Sequence, residues 1–193
     1  MSQDSKNHLE TDGVTSAYIL AGGQSSRMGS DKGLLIFRQK LLVQHGIDVL
    51  QKVFSKVTII ANSPQYQQFG IEVIPDIIQG KGPMGGIYTG LLDCQESTAF
   101  FLGCDMPFIT EQAIRYLIGH GKGATAVASS GSTIHPLFGT YAVKDLAVIK
   151  EHLDTGKYKM LRLLEHLSPS YVFFEEKEWT DTFTNINTPE DLI

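Results

Sequence analysis

Residues Leu20–Leu35 have the sequence L-A-G-G-Q-S-S-R-M-G-S-D-K-G-L-L, which contains the most informative motif of the chain. They follow an apolar run, Val14–Leu20, that is typical of a short buried strand. They have no hydrophobic periodicity themselves, which predicts a loop. Glycines let such a loop adopt positive φ and approach a bulky group closely, and Arg27 and Lys32 add positive charge. A glycine-rich loop that leaves a strand in this way suits the polyphosphate of a nucleotide.

The spacing of this loop is Gly-x5-Gly-x2-Lys. It matches neither the G-x-x-x-x-G-K-[ST] loop of ATPases nor the G-x-G-x-x-G loop of dinucleotide-binding proteins, so those two classes are not indicated. From composition alone, the alternative is a surface loop that carries two solvated cations.

The composition predicts an ordinary globular protein. At 193 residues, with 42% hydrophobic and 19% charged residues, the chain is long enough for one domain with a substantial core. Residues 1–13 are polar and aperiodic, which predicts a flexible tail before a single domain at 14–193. No apolar run approaches ~20 residues, so no membrane span is predicted. The chain starts without a signal pattern, and Cys94 and Cys104 lack metal-ligand spacing, so a cytoplasmic location is expected.

Charge is distributed unevenly along the chain, whose net charge is −5. Residues 21–40 carry four basic side chains and one acid, whereas residues 175–193 carry six acids and one lysine. A cationic loop in an acidic protein favours a small anionic ligand at one site over a polyanion spread along a face. Nucleic-acid binding is therefore not expected.

Strand-like and helix-like segments alternate along the chain. The predicted strands are Ala17–Leu20, Lys56–Asn62, Ile71–Ile74, Ala99–Leu102, Ala124–Ala128, His135–Tyr141 and Tyr171–Phe174. The predicted helices are Leu41–Phe54, Ile87–Cys94, a helix capped by Thr110 that ends near Gly119, Lys144–Leu153, Tyr158–Leu167 and a last helix capped by Thr188. This alternation predicts a single-domain, doubly wound α/β fold, Rossmann-like, with a mostly parallel sheet and helices on both faces.

Four polar features fall where predicted strands end: the Gly22–Lys32 loop, Asn62, Asp76 and Asp105. Ligands of doubly wound sheets bind outside the carboxyl ends of the strands. We therefore expect these four features to meet at one site, which is the central inference from the pattern.

The pattern L-A-G-G-x-x-x-R-M-G-x-D-K resembles the signature loop of the nucleotidyltransferases that join an NTP to a phosphorylated acceptor. With Asp31–Leu34, it most resembles that of the molybdenum cofactor guanylyltransferases. G-C-D-M-P at Gly103–Pro107 and N-I-N-T-P-E-D at Asn185–Asp191 are similar to the same family, and the resemblance covers most of Tyr18–Leu192. The chain departs from the family at Leu41–His45, where the usual Pro-Leu has no proline, so no proline marks the start of the following helix.

The resemblance implies a role for particular residues. It assigns the nucleotide to Leu20, Ala21, Gly22, Gly23, Lys32, Asn62, Asp76, Gly82, Pro83, Gly85 and Asp105. It assigns catalysis to Arg27, Lys32 and Asp105, Mg²⁺ to Asp105, and the acceptor to His135, Asn185 and Asn187. The nucleotide-binding half is expected at about 14–120 and the acceptor-binding half at about 121–193.

Several of these residues also have a structural interpretation. Asp105 lies where a helix cap is expected, Asn62 and Asp76 suit turns, and His135 begins a strand beside a proline. Sequence alone leaves these alternatives open.

The implied reaction is transfer of GMP from GTP to molybdenum-bound molybdopterin, with release of pyrophosphate. Arg27 and the loop backbone would hold the departing phosphates, and Lys32 would offset charge on the α-phosphate. Brief contact with proteins that deliver or receive the cofactor is also expected. The alternatives are a cytidylyl- or uridylyltransferase that acts on a phosphorylated small molecule, and a catalytically silent nucleotide-binding module.

Overall fold

The computed structural model describes residues 13–22, 31–175 and 177–192. The β-branched and aromatic runs of the sequence form its strands, as their propensity favours. The strands are β1 Ser16–Leu20, β2 Ile36–Phe37, β3 Lys40–Leu41, β4 Lys56–Ile60, β5 Glu72–Ile74, β6 Thr98–Gly103, β7 Ala126–Ser130, β8 Thr133–Ala142 and β9 Ser170–Phe173. The α-helices are α1 Leu42–Leu50, α2 Pro83–Asp93, α3 Glu111–Gly121, α4 Leu146–Asp154 and α5 Met160–Leu167. Short 3-10 helices are Lys32–Leu34, Pro64–Phe69, Val143–Asp145, Lys177–Trp179 and Pro189–Leu192.

Seven strands form one mixed sheet in the order β5-β4-β1-β6-β8-β7-β9, and β2 pairs with β3 in a separate hairpin. Only β8 runs against its neighbours in the large sheet, because it pairs antiparallel with both β6 and β7. A two-residue turn with Gly131 at φ +56° joins β7 to β8 and reverses the chain. The prediction of a mostly parallel sheet is confirmed.

Helices cover both faces of the sheet, as predicted. On one face, α1 and α3 contribute Val43, Ile47 and Leu117 to a core cluster that also contains Phe100 of β6. On the other face, α2, α4 and α5 pack against a second cluster that includes Tyr18. Because side chains alternate along a strand, Ile19 points to the first cluster and its neighbour Tyr18 to the second. This burial on both sides explains why β1 is apolar throughout.

Two helices differ from the prediction by four residues at one end. Helix α1 starts at Leu42, after a Leu41 that supplies no side-chain cap, and ends at Leu50, four residues before the predicted end. Helix α2 starts at Pro83 rather than Ile87. The fixed φ of proline suits the first helical position, and Gly82 before it adopts φ +62°. The apolar periodicity showed only the later part of this helix.

The predicted last helix is only a 3-10 turn, Pro189–Leu192. The carboxylate of Asp191 accepts hydrogen bonds from the backbone N–H groups of Asn187 and Thr188, at 2.8 and 2.9 Å. The segment is thus closed by an aspartate that reaches back along the chain.

The predicted tail falls on residues 1–13, of which only Gly13 is described. Strands from both predicted halves of the domain belong to one sheet, while the division into a nucleotide half and an acceptor half stays a prediction. In the described part of the chain, no helix combines the length and the apolar character that crossing a bilayer requires.

Candidate functional site

A crevice opens where the strand order changes direction. Strand β1 lies between β4 and β6 and pairs with both in parallel. The chain crosses from β1 to β4 on one side of β1 and later returns to β6 on its other side, so the loops at this edge separate and leave a ligand-sized gap. The gap is a cleft of about 290 Å³. It is lined by Leu20, Ala21, Gly22, Asp31, Lys32, Ile60, Asn62, Asp76, Gly82, Pro83, Gly86, Gly103, Cys104, Asp105 and Leu137.

Lys32 and Asp105 meet inside this cleft. The ammonium Nζ of Lys32 lies 3.0 Å from Asp105 Oδ2, and 19% of each side chain is exposed. The same ammonium donates to Asn187 Oδ1 at 2.9 Å. An ammonium has three protons to donate, so two of them are directed to protein oxygens at this position.

The segment before Lys32 is held by a buried tyrosine. The Tyr66 hydroxyl donates to Asp31 Oδ1 at 2.5 Å, and the same oxygen accepts the N–H of Gly33 at 3.2 Å. Burial raises the pKa of Tyr66, so the hydroxyl keeps its proton. A side chain on Gly33 would collide with this hydroxyl. These contacts fix the start of the 3-10 helix Lys32–Leu34 and so the direction of Lys32.

Asn62 and Asp76 lie together at the edge of the cleft. Asn62 Oδ1 accepts the N–H of Asp76 at 3.1 Å. Asp76 Oδ1 accepts the N–H of Ile78 at 2.9 Å and the Thr89 hydroxyl at 3.0 Å. Both residues therefore shape the turn after β5, as the structural interpretation expected, and both also line the cleft.

The glycine-rich segment Gly80–Gly86, which runs into the first turn of α2, has two different roles. Gly82 and Pro83 line the cleft, as expected, and Gly86 lines it where the resemblance assigned Gly85. A Cβ on Gly85 would come within 2.7 Å of the Ile78 carbonyl oxygen and 2.9 Å of Asp76 Oδ2. The structure thus gives Gly85 a packing role, because it lets the helix approach the Asp76 turn.

Asp105 is not the cap of the helix that follows it. That position belongs to Thr110, whose hydroxyl oxygen accepts the N–H of Ala113 at 3.1 Å. Asp105 Oδ1 lies over Gly103, where a Cβ would come within 2.8 Å. The glycine leaves room for the carboxylate to turn toward the cleft.

No cluster of three or more metal-binding side chains occurs within residues 13–22, 31–175 and 177–192. The Asp105 carboxylate, which was expected to hold Mg²⁺, contacts the cationic Lys32 instead of other acids. Gly23 and Arg27, which the resemblance assigned to the nucleotide and to catalysis, lie outside the described residues. Gly22 is described, and its φ of +89° is one that glycine adopts without strain.

The three residues assigned to the acceptor are not gathered at one place. Asn187 contacts Lys32 in the first cleft, whereas Asn185 lines a second cleft of about 490 Å³. His135 stacks on Phe183 at 4.4 Å between ring centroids, and its Nε2 lies 2.7 Å from the Ser130 hydroxyl. Burial lowers the pKa of His135. These contacts agree with the structural interpretation of His135.

Sequence reasoning missed several residues that line or support the cleft. Gly86 packs against Leu20, with a Cβ position 2.8 Å from its Cδ2 atom. Leu137 enters because β8 runs backwards and brings its amino end beside the carboxyl end of β6. Gly86 belongs to the glycine-rich segment that also contains Gly82, so the sequence offered a signal for it. No local signal marks Leu137 or the contact of Tyr66 with Asp31.

Comparisons with known proteins agree with this geometry. Residues 17–170 match the model of the MobA-like NTP transferase domain. The chain is 38% identical to the molybdenum cofactor guanylyltransferase of Vibrio vulnificus, with 93% of both chains covered. It is 34% identical to that of Syntrophotalea carbinolica, over 92% of this chain and 88% of the relative. A crystal structure of a protein from Aquifex aeolicus VF5 superposes with a TM-score of 0.80 at 30% identity, covering 91% of this chain and 94% of the other. The family match spans most of the sheet, the relatives are covered almost end to end, and the cleft at the strand ends brings Lys32 to Asp105. The chain therefore belongs to the MobA-like NTP transferase family.

Proposed function

We propose that this protein is a molybdenum cofactor guanylyltransferase, which transfers GMP from GTP to molybdenum-bound molybdopterin and releases pyrophosphate. The observation that carries the proposal is the meeting of Lys32 and Asp105, 3.0 Å apart, in the cleft at the carboxyl ends of β1 and β6. Two relatives at 34 and 38% identity bear the name of this activity.

The cleft supplies what nucleotidyl transfer requires. In phosphoryl chemistry, positioning and neutralisation of charge account for most of the catalysis. Lys32 can offset negative charge on the α-phosphate with the ammonium proton that Asp105 and Asn187 leave available. Because Gly22 has no side chain, phosphate oxygens can approach its exposed backbone closely. The resemblance adds Arg27 of the same loop as a second cation for the departing phosphates. No general base is needed, because the attacking phosphate of the acceptor is ionised at neutral pH.

Mg²⁺ dependence is a further part of the proposal. Mg²⁺ prefers oxygen ligands and usually binds through one or two carboxylates together with substrate phosphates. The donor set fits, since Asp105 places a carboxylate oxygen in the cleft, and substrate phosphates and water can complete the coordination of the ion. Asp105 would hold the ion, which when bound neutralises phosphate charge. Lys32 could then also direct to the nucleotide the proton that it now donates to Asp105.

The guanine is assigned to the loop that includes Gly82 and Pro83. Both residues line the cleft, and the positive φ of Gly82 turns the backbone at its rim. Backbone N–H and C=O groups of such a loop can pair with the amide edge of guanine. The guanylyl-type opening Leu20–Gly23 supports GTP over CTP, and we expect GTP to bind at least about tenfold more tightly, or ~1.4 kcal/mol.

The test is a pyrophosphate-release assay with molybdenum-bound molybdopterin and each of the four common NTPs, with and without Mg²⁺. The proposal expects release with GTP that needs both the acceptor and the metal. Equal rates or equal affinities for GTP and CTP would remove the guanylyl assignment in favour of a cytidylyltransferase. Nucleotide binding without pyrophosphate release would favour the catalytically silent module.

The proposal includes a cytoplasmic location and brief contact with proteins that supply or receive the cofactor. The contact with these proteins rests on the resemblance to the family alone.

A further inference from the structure

A second cleft lies beside the nucleotide cleft and is lined by Arg38, an arginine with a positive φ angle. It has a volume of about 490 Å³ and is lined by Phe37, Arg38, Phe108, Thr184, Asn185, Ile186 and Asp191. The segment 185–187 separates the two clefts. Asn185 borders the second cleft, and Asn187 reaches Lys32 in the first. The N–H of Ile186 donates to the Asp105 carbonyl oxygen at 2.9 Å, which fastens this segment to the nucleotide side.

Arg38 is held in place from two sides. Its guanidinium carbon lies 5.2 Å from the ring centroid of Phe37 and 4.9 Å from that of Phe108. The rings contact the guanidinium through cation–π interactions, which leave its in-plane N–H groups as the means of binding an anion. Within the described part of the chain, Arg38 forms no ion pair with a carboxylate.

The backbone at Arg38 is strained. Arg38 and Gln39 form the two-residue turn between β2 and β3, with φ of +47° and +68°. A hairpin turn with two positive φ angles strongly favours Asn-Gly, because other side chains collide with the backbone there. Strain of this kind persists where the surrounding structure holds it, and it concentrates at functional sites.

We propose that Arg38 binds the body of the acceptor and that its cleft is the acceptor subsite, an inference that rests on the proposed function. Molybdopterin is an anionic pterin whose phosphate must reach the α-phosphate of GTP near Lys32. Ile186 lines the second cleft, and the next residue, Asn187, contacts Lys32. The cleft combines a cation, two aromatic rings and the Asn185 amide. Asp191 also lines it, but its carboxylate is directed to the N–H groups of residues 187 and 188, and those bonds lower its pKa.

The test is calorimetric binding of molybdopterin and, separately, of GTP to the full chain. Arg38→Ala should weaken molybdopterin binding about tenfold or more, the effect of one charged hydrogen bond, with GTP binding within about twofold of wild type. Lys40→Ala is the matched control, because it removes an equal charge from the same hairpin. Lys40 pairs instead with Asp48, at 2.6 Å, and its loss should leave both affinities unchanged.

A double variant separates a binding role from a structural one. Arg38→Asn with Gln39→Gly restores the preferred turn residues and should raise the melting temperature while weakening molybdopterin binding as much as Arg38→Ala does. Wild-type affinity in either variant, with the wild-type protein binding molybdopterin, overturns this inference alone. A fall in melting temperature with equal loss of both ligands also overturns it, because Arg38 would then support the fold. If the wild-type protein binds no molybdopterin, the proposed function fails and this inference with it.

Discussion

Lys32 and Asp105 are held 3.0 Å apart in a cleft where water still reaches both side chains. Partly exposed ion pairs contribute at most ~1 kcal/mol to folding. The position of the pair is therefore more consequential for catalysis than for stability, and substitutions at either residue should separate the two properties.

We predict that Asp105→Asn lowers turnover by roughly 100-fold or more, ~2.7 kcal/mol of barrier. The amide keeps the shape of the side chain but loses the charge that a hard cation prefers. The melting temperature should change little. Steady-state kinetics with GTP, beside thermal unfolding, measure both quantities.

The matched control is Asp48→Asn, because Asp48 also pairs with a lysine but lies outside the cleft. It should keep wild-type turnover. If the Asp105 variant melts much lower and each folded molecule retains normal activity, Asp105 is structural and the proposed site is misplaced.

The two asparagines near the carboxyl end should differ in effect, although the resemblance gave them one role. Asn187→Ala removes an oxygen that accepts from Lys32 at 2.9 Å, whereas Asn185 borders the other cleft. We predict that Asn187→Ala lowers kcat/KM for GTP about tenfold, the cost of one hydrogen bond to a charged group. Asn185→Ala should leave GTP binding unchanged and raise only the KM of the acceptor. Identical kinetic profiles for the two variants would contradict this separation.

At the scale of elements, the helix beginnings decide which side chains face the crevice. Proline at the first position of α2 and a side-chain cap on α3 set where these helices start. Helix α3 follows directly on the turn that carries Asp105, so Thr110 takes the cap and Asp105 is left to the cleft.

We predict that Thr110→Ala destabilises the protein by ~1 kcal/mol, because an N–H of the first turn loses its partner. For a chain of this size, that corresponds to a melting temperature lower by about 2–4 °C. Urea unfolding measures the change, and Thr110→Ser, which keeps the hydroxyl, should restore most of it. Activity per folded molecule should stay at the wild-type value, and a large loss of turnover would show that the cap also positions Asp105.

At the scale of the whole molecule, the two ends of the sheet have different roles. The carboxyl ends of the strands carry the cleft, and the amino ends carry a network of charges and hydroxyls. Lys56 lies 2.9 Å from Asp93 and 3.2 Å from Glu72. Tyr18 donates to Asp93 at 2.7 Å, and Ser16 donates to Glu96 at 2.9 Å. This network closes the end of the sheet opposite the cleft.

The network predicts a loss of stability in acid. Burial raises the pKa of Asp93, but hydrogen bonds from Lys56 and Tyr18 outweigh burial, so the pKa lies below its ordinary 3.8. The pKa of Glu96 lies below its ordinary 4.5, chiefly through the hydrogen bond from Thr15. Because both pKa values are lower in the folded protein, the stabilisation is full above about pH 4.5 and is lost as the pH falls below it.

Melting temperatures measured from about pH 7 to about pH 3 test this prediction, since the curve should be level at first and then fall below about pH 4.5. A variant with Asp93→Asn and Glu96→Gln should start from a lower melting temperature and lose less on acidification. If its curve falls as steeply as that of the wild-type protein, other carboxylates cause the acid sensitivity.

The class of fold, the polar residues at the strand ends and the resemblance to the family could all be predicted from the sequence. Apolar β-branched runs and helical periodicity are local properties, so β1, β4, β6 and α3 could be predicted within a few residues. Parallel strands end at one edge of a sheet, and for that reason Gly22, Asn62, Asp76 and Asp105 could be expected to meet, as they do.

The contact partners of the site residues could not be predicted, because they come together only in the folded chain. Lys32 meets Asp105 across 73 positions of the chain and Asn187 across 155, and no local pattern encodes either distance. The antiparallel direction of β8 brings Leu137 to the cleft. Gly86 lines the cleft instead of Gly85, because Gly85 packs closely against the Asp76 turn. The strained Arg38 appears in the sequence as an ordinary surface cation. Its role depends on a turn and two aromatic rings that come together only when the chain folds.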